Sequence, residues 1–412
     1  MRAGWQIKTL AEVCQIKPPK AEARRNLAET DLVSFVPMEN LGIDQKTFLP
    51  TQTRPLAEVA GSYTYFADGD VLLAKITPCF ENGKLGIATD LINGIGFGSS
   101  EYIVFRPDNS VNKEWLYYFL SRDAFRVEGA ARMSGAVGHK RVAKEFIETC
   151  SIPVPPLPEQ HRIITILDEA FDGIATAKAN AENNLQNARA LFESHLQSVF
   201  TARGEGWVEK HLKDVCEKIT DGTHQTPTYF DDGIVFLSSR NVTSGKINWD
   251  RIKYIDTKQH LEMHKRVAPR RDDILLAKNG TTGVAAIVDR DTTFDIYVSL
   301  ALLRSLPVIR PQLLLYFINS PIAKSQFNKR LKGVGVPNLH LEEIREVRIS
   351  FPQNLLEQDR LIEGLDSLST ETQRLESIYK QKVAALDGLK KSLLHQAFTG
   401  QLTACSVDEA MV

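Results

Sequence analysis

At 412 residues the chain is longer than a typical domain of about 100–200 residues, so two or three domains are expected. Its 43% hydrophobic and 25% charged content is that of an ordinary globular protein; no apolar run reaches bilayer length and residues 1–10 lack a signal-peptide core, so a cytoplasmic protein is expected. The net charge of −1 carries no whole-chain signature of nucleic-acid binding, and five scattered cysteines without a C-x-x-C argue against both a disulfide framework and a zinc site.

In chain order, the first stretch alternates short β-rich runs with turns. Asp70 to Ile76 and Tyr102 to Phe105 read as strands, Asn82-Gly83 and Asn93-Gly94 as turns, and Lys113 to Phe125 as a helix. A proline-rich connector, Ile152-Pro-Val-Pro-Pro-Leu-Pro158, then feeds a long helix, with Pro158 suited to its first position. The second stretch repeats the plan. Strands are expected at Ile234 to Leu237 and Ile274 to Ala277, turns at Asp221-Gly222, Asp232-Gly233 and Asn279-Gly280, and a helix at Pro311 to Leu331. A second long helix begins near residue 356.

The resemblance between the two stretches is an internal repeat. Gly4-Trp5, Leu10, Val13 and Cys14 match Gly206-Trp207, Leu212, Val215 and Cys216. Asp70-Val-Leu-Leu-Ala-Lys75 matches Asp273-Ile-Leu-Leu-Ala-Lys278, and Glu159-Gln160-x-Arg162 matches Glu357-Gln358-x-Arg360. Collinear matches of this kind describe two copies of a unit of roughly 200 residues. The expected boundaries are 1–157 and 204–355 for two α+β domains, 158–203 and 356–402 for the helices, and 403–412 for a tail.

Each helix carries a heptad-like apolar seam. Ile163, Leu167, Ile174, Leu185 and Phe192 mark the first, and Leu361, Leu365, Leu368, Leu375 and Leu389 the second. A narrow seam makes a poor solitary helix, so the two copies are expected to pack on each other, with His195 and His395 at or near the seam.

No phosphate-binding G-x-x-x-x-G-K-[ST] and no G-x-G-x-x-G opening a helix is present, so neither ATP hydrolysis nor methyl-donor binding in the usual way is expected. His260 and His264 have i, i+4 spacing, but the sequence offers no third ligand, and no metal site is expected. The polar loops after the strands are more informative. Lys75, Thr77, Asn82 and Lys84 follow the first Asp-led strand; Lys278, Asn279, Thr281 and Thr282 follow its copy. A second loop pair carries Arg132, Ser134, Gly135, His139, Lys140 and Arg141 in one unit, and Lys329, Arg330, Lys332 and Asn338 in the other. Ser239, Arg240 and Asn241 form a further candidate in the second unit. Lysine, arginine and small polar side chains contact phosphates, and lysine, arginine and asparagine read base edges.

With its repeated Gly-Trp openings, Asp-x-Leu-Leu-Ala-Lys segments and Pro-Leu-Pro-Glu-Gln-x-Arg at 156–162, the chain resembles the specificity subunits of type I restriction–modification systems over nearly its whole length. The resemblance implies two target-recognition domains related by a pseudo-twofold axis and spaced by an antiparallel coiled coil of the two helices. It implies that the paired loops face double-stranded DNA and that the chain is not itself an enzyme. Two methyltransferase subunits and motor–nuclease subunits would be its partners, and S-adenosylmethionine, ATP and Mg would be bound by them. The second unit departs from the pattern, with Leu355-Leu-Glu-Gln-Asp-Arg360 in place of Pro-Leu-Pro-Glu-Gln-His-Arg, so the two halves are expected to recognise different bases. The rival readings are a coiled-coil interaction scaffold and the specificity subunit of another DNA-modification complex.

Overall fold

The structure, a computed structural model, describes residues 4–403 apart from Val137, Arg203, Ser244, Thr281, residues 332–337 and the side chain of Asn26. The chain forms two compact units, Met1–Asn180 with Gln381–Val412, and Ala181–Lys380. Among the described residues no helix is long and apolar enough to cross a membrane.

In the first unit a five-stranded sheet runs in the order Cys14–Ile16, Tyr102–Pro107, Val71–Ala74, Leu85–Ala88, Thr47–Phe48. A four-stranded sheet has the order Gln52–Pro55, Leu32–Val36, Ile95–Gly98, Thr64–Ala67. Gln6–Thr9 pairs antiparallel with Ser151–Val154, closing the domain next to the long helix. The second unit repeats this in shorter form. Its larger sheet has the order Cys216–Asp221, Leu300–Ser305, Ile274–Ala277, Ala285–Ile287, and its smaller one Lys253–Ile255, Ile234–Leu237, Phe294–Ile296. Both small sheets hold one parallel pair at the same place, Leu32–Val36 with Ile95–Gly98 and Ile234–Leu237 with Phe294–Ile296. The α+β expectation therefore holds in both copies.

The repeated polar residues are structural. Asp70 is buried and chelated by Arg106 through Nε and Nη2 at 2.8 Å each; Asp273 and Arg304 repeat the same two bonds at the same lengths. Gln160, fully buried, accepts from the Asn112 amide at 2.8 Å and donates to the carbonyls of Ser110 and Pro155. Gln358 does the same with the Arg310 amide and the carbonyls of Val308 and Pro352. Tyr118 donates to Asp168, and Tyr316 to Asp366. Buried polar groups are tolerated when fully hydrogen-bonded, and these bonds lock each long helix to its own domain.

The long helices run Leu157–Thr201 and Leu355–Thr399. Within the first unit, Ile163, Ile164 and Leu167 share a core with Leu394, Ala397 and Phe398, while Lys178 bonds Asp387 at 2.8 Å. Within the second, Leu196 and Phe200 share a core with Leu365, while Arg189 bonds Glu376 at 3.0 Å. Residue numbers rise along one helix as they fall along the other, so the pairing in each unit is antiparallel. Each helix pair also packs on a globular domain, as in the ring contact of Trp115 with Phe398, centroids 4.3 Å apart.

Four sequence expectations are corrected. Leu389 is 47% exposed and lies off the seam. The 4–3 spacing passes instead through Leu386, Lys390 and Leu393, all half-buried, and the Lys390 ammonium lies over the Phe171 ring, 5.5 Å from its centroid. His195 and His395 are exposed. The two expected shorter helices each split, into Lys113–Ser121 with Asp123–Ala131, and Pro311–Asn319 with Pro321–Asn328. Extended backbone at Arg122 makes the first break; Pro321 forces the second, because the residue before a proline is pushed out of the helical region. Finally, Asp221-Gly222 is a strand end, not a turn: a Cβ on Gly222 would sit 1.9 Å from the Ile296 carbonyl oxygen, so glycine is required by close approach. Of the remaining seam residues, Ile163, Leu167, Ile174 and Leu365 are buried, and Leu185, Phe192, Leu361, Leu368 and Leu375 half-buried.

Candidate nucleic-acid interface

In each unit the backbone brings the two sequence-predicted loops together. In the first, the Thr77 amide donates to the Lys140 carbonyl and the Val142 amide to the Lys75 carbonyl, both at 2.9 Å, and Ile76 bridges Arg141. In the second, the Leu339 amide donates to the Lys278 carbonyl at 2.9 Å and Asn279 bridges Asn338. Loops 75–84 and 132–141, far apart in sequence, thus form one surface, and the copy repeats the stitch.

On the first unit's surface Asn82, Arg132, Ser134, Gly135, His139, Lys140 and Arg141 are exposed. Gly135 has φ +125°, a conformation that turns the loop sharply and suits glycine. Arg141 is held by Glu101 through two bonds of 2.9 and 2.7 Å, and Arg132 by Glu128 at 2.7 Å. Lys140 and His139 make no ion pair among the described residues and project most freely. Lys84 donates to the Met38 carbonyl and Thr77 to the Glu81 carboxylate, so both are partly committed to the fold.

Lys75 donates to the Ser100 carbonyl at 2.9 Å and lines a cleft of about 550 Å³ with Lys17, Lys20 and Lys144. Burial lowers the Lys75 pKa, against the pull of Glu101. Burial, with Lys17 and Arg24 nearby, also lowers that of Lys20. Glu148 also lines the cleft and pairs with Lys144 at 3.2 Å, and Glu101 lies 3.9 Å from Lys75, so four ammonium groups against these two carboxylates leave a local excess of positive charge on a chain with no net excess of it. Lys17 and Lys20 lie outside the repeated motifs. Their one sequence signal is the Lys17-Pro-Pro-Lys20 run, which departs from its counterpart in the repeat.

The second unit distributes its charge differently. Lys278 is buried at 6% exposure and its ammonium bonds Asp221 at 2.8 Å, so the expectation that it faces DNA is corrected. The cause is Asp221, whose place in the first unit is taken by the Lys17-Pro-Pro-Lys20 run. Asp221 also receives Arg266 Nη2 at 2.6 Å and lies 3.3 Å from His224 Nε2, leaving Arg266 and His224 as the exposed groups here. Asn241 is likewise corrected. It is buried, accepting from the Ser238 amide and donating to the carbonyls of Asn248 and Arg251, which shapes the loop from within. Arg240 and Lys329 are exposed; Ser239, Asn279, Thr282, Arg330 and Asn338 are half-buried. Thr281 and Lys332 lie outside the described residues. Missed altogether were Tyr229 and Phe230, both exposed, with Lys253 Nζ 3.7 Å from the Tyr229 ring centroid. Exposed aromatics beside cations offer apolar contact and stacking to a base.

Two of the thiols are held far from a reactive thiolate: burial pushes Cys14 and Cys216 up to about 12.

Comparison with known proteins gives these arrangements a context. The EcoAI type I restriction enzyme specificity subunit of Escherichia coli is 38% identical over 162 residues, a match spanning 39% of this chain but 27% of that relative. A chain from a structural study of complex assembly and conformational transition of the type I R-M system aligns with a TM-score of 0.81 at 20% identity, covering 97% of this chain and 99% of that one. The HsdS subunit from Thermoanaerobacter tengcongensis aligns at 0.62 with 19% identity, covering 97% and 98%. At these identities the two structures speak to the fold. The type I restriction modification DNA specificity domain matches residues 2–187 and again 204–384, one match for each repeat. The chain belongs to the type I restriction modification DNA specificity domain family.

Proposed function

We propose that this chain is the DNA-reading subunit of a type I restriction–modification complex, carrying target recognition and no catalytic step. The observation that supports this best is the twice-repeated stitch of two polar, cation-bearing loops into one surface, on domains of a family of DNA specificity modules. In this reading each domain reads one half of a bipartite, asymmetric target. Exposed Lys140, Arg141, His139, Arg240 and Lys329 meet phosphates and base edges. The unlike chemistry of the two surfaces, a lysine cleft in one and an Arg266–Asp221–Lys278 cluster with Tyr229 and Phe230 in the other, makes the half-targets different.

Methyltransferase subunits would bind S-adenosylmethionine and transfer the methyl group; motor–nuclease subunits would use ATP and Mg, all in the cytoplasm. Because the chain has no net positive charge and non-specific affinity comes chiefly from phosphate neutralisation, the partners would supply much of the cationic clamp. Mapping adenine methylation across the source genome, with and without this gene, tests the proposal. Loss of one split, asymmetric motif on deletion supports it and reveals the target; an unchanged methylome overturns it for the native system.

A further inference from the structure

We propose that the second unit contains a binding site for a divalent transition-metal ion, Zn²⁺ by its donor set, formed by His260, His264 and Asp295. The third ligand that the sequence lacked comes from a distant strand. His260 and His264 stand one turn apart, on and just after the helix Thr257–Met263, and Asp295 is the middle residue of the strand Phe294–Ile296. His260 Nδ1 lies 2.7 Å from Asp295 Oδ2, and His264 Nδ1 lies 3.0 Å from Oδ1. The donor atoms of all three residues fall within 4.8 Å of one another. The two separations end on different carboxylate oxygens, so an ion would take one oxygen of Asp295 together with the two imidazole nitrogens, the side chains spreading by roughly half an ångström to the donor–donor separations of about 3.3 Å that tetrahedral bonds of about 2.0–2.1 Å require. Two imidazoles and one carboxylate, with the fourth position left for water, make a three-ligand zinc set.

Two further observations favour an ion over a simple hydrogen-bonded cluster. Asp295 is 1% exposed, and among the described residues its ion-pair partners are these two imidazoles, with no lysine or arginine. A buried carboxylate needs a compensating cation, and a divalent ion supplies one. The repeat then shows what the cluster replaces. Phe35 pairs with Phe97 across the parallel ladder of the first unit, as Phe236 pairs with Asp295 in the second. In the first unit, Phe97 packs with Leu56 and Val59 of the helix that follows the edge strand, in a small apolar core. In the second unit, the corresponding helix and strand present two histidines and an aspartate. The ion would do by coordination what the first unit does by apolar burial, pinning the helix to the sheet.

The test uses the full chain, stripped with chelator and titrated with ZnCl₂, with bound metal measured by plasma mass spectrometry. Wild type should hold about one Zn²⁺ per chain, and a roughly hundredfold excess of zinc over Kd should raise the melting temperature of the second unit by about 5–10 °C. H264A, at the more exposed ligand, should lose both effects, while H195A, at an exposed histidine outside the cluster, should keep them. Co²⁺ should give intense visible bands in wild type and none in H264A. D295N serves as a second ligand variant if H264A fails to fold. No stoichiometric zinc in wild type, or zinc held equally by H264A and D295N, would overturn the site and leave a His–Asp–His hydrogen-bond cluster in its place.

Discussion

One lysine at the end of one repeated strand has two fates. In the first unit Lys75 reaches the wall of a cleft shared with three other lysines. In the second, Lys278 is buried against Asp221. The strands carrying them are near-identical, Asp-x-Leu-Leu-Ala-Lys in both, and both Asp residues are chelated by an arginine from the neighbouring strand. The difference comes from the edge strand of the same sheet, which ends in Asp221 in one copy and gives way to a Lys-Pro-Pro-Lys run in the other. A repeated motif therefore fixes a scaffold position, while its chemistry is set by an unrepeated neighbour.

The largest expected effect tests what the units share. R106A and R304A each strand a buried aspartate and should cost about 3–5 kcal/mol in their own unit, read by hydrogen exchange so that the two units are followed separately. Unequal losses would mean that the repeated pair does not carry equal weight. Next, Q160A and Q358A remove three bonds each from a helix clamp and should cost about 2–4 kcal/mol, frayed first at the helix starts.

The sharpest test of the contrast is the lysine pair. K278A leaves Asp221 with the more exposed Arg266 and His224 and should destabilise the second unit by about 2–3 kcal/mol. K75A should cost under about 1 kcal/mol of stability but weaken DNA binding by the assembled complex about tenfold, with the salt slope reduced by about one. Comparable stability losses in the two variants would erase the distinction.

Acid should separate the units as well. Burial pulls Asp221 up, but its bonds from Lys278 and Arg266 outweigh this and hold it below the usual carboxylate range. Its stabilisation is complete above the unfolded value of about 3.9 and is lost as pH falls through the native value. Asp70 is shifted the other way, burial outweighing Arg106, so its native form holds a proton more tightly and its contribution rises as pH falls. Acidification from about pH 5 to 3 should weaken the second unit through Asp221, and D221N should flatten that slope. The smallest effect belongs to the helix pairs: R189A breaks a solvent-exposed bond to Glu376 and should cost under about 0.5 kcal/mol.

The sequence by itself determined the repeat, the α+β class and the two long helices, and it named the loops that the fold then brings together in each unit. These follow from apolar periodicity and from matched residues at matched spacing, both local or one-dimensional properties. It also marked Gln160, Gln358, Asp70 and Asp273, though their role as buried clamps was legible only once their partners were placed. Tertiary structure alone decided which cations reach solvent. Lys278 and Asn241 carry the residue types of a DNA-reading loop, yet burial and internal partners remove them, while Lys17, Lys20, Tyr229 and Phe230 enter from segments without a motif. It alone joined Asp295 to His260 and His264, because a strand and a helix some thirty residues apart meet only through the sheet that positions both. Side-chain exposure and convergence are properties of packing in three dimensions, and a single sequence records them only indirectly.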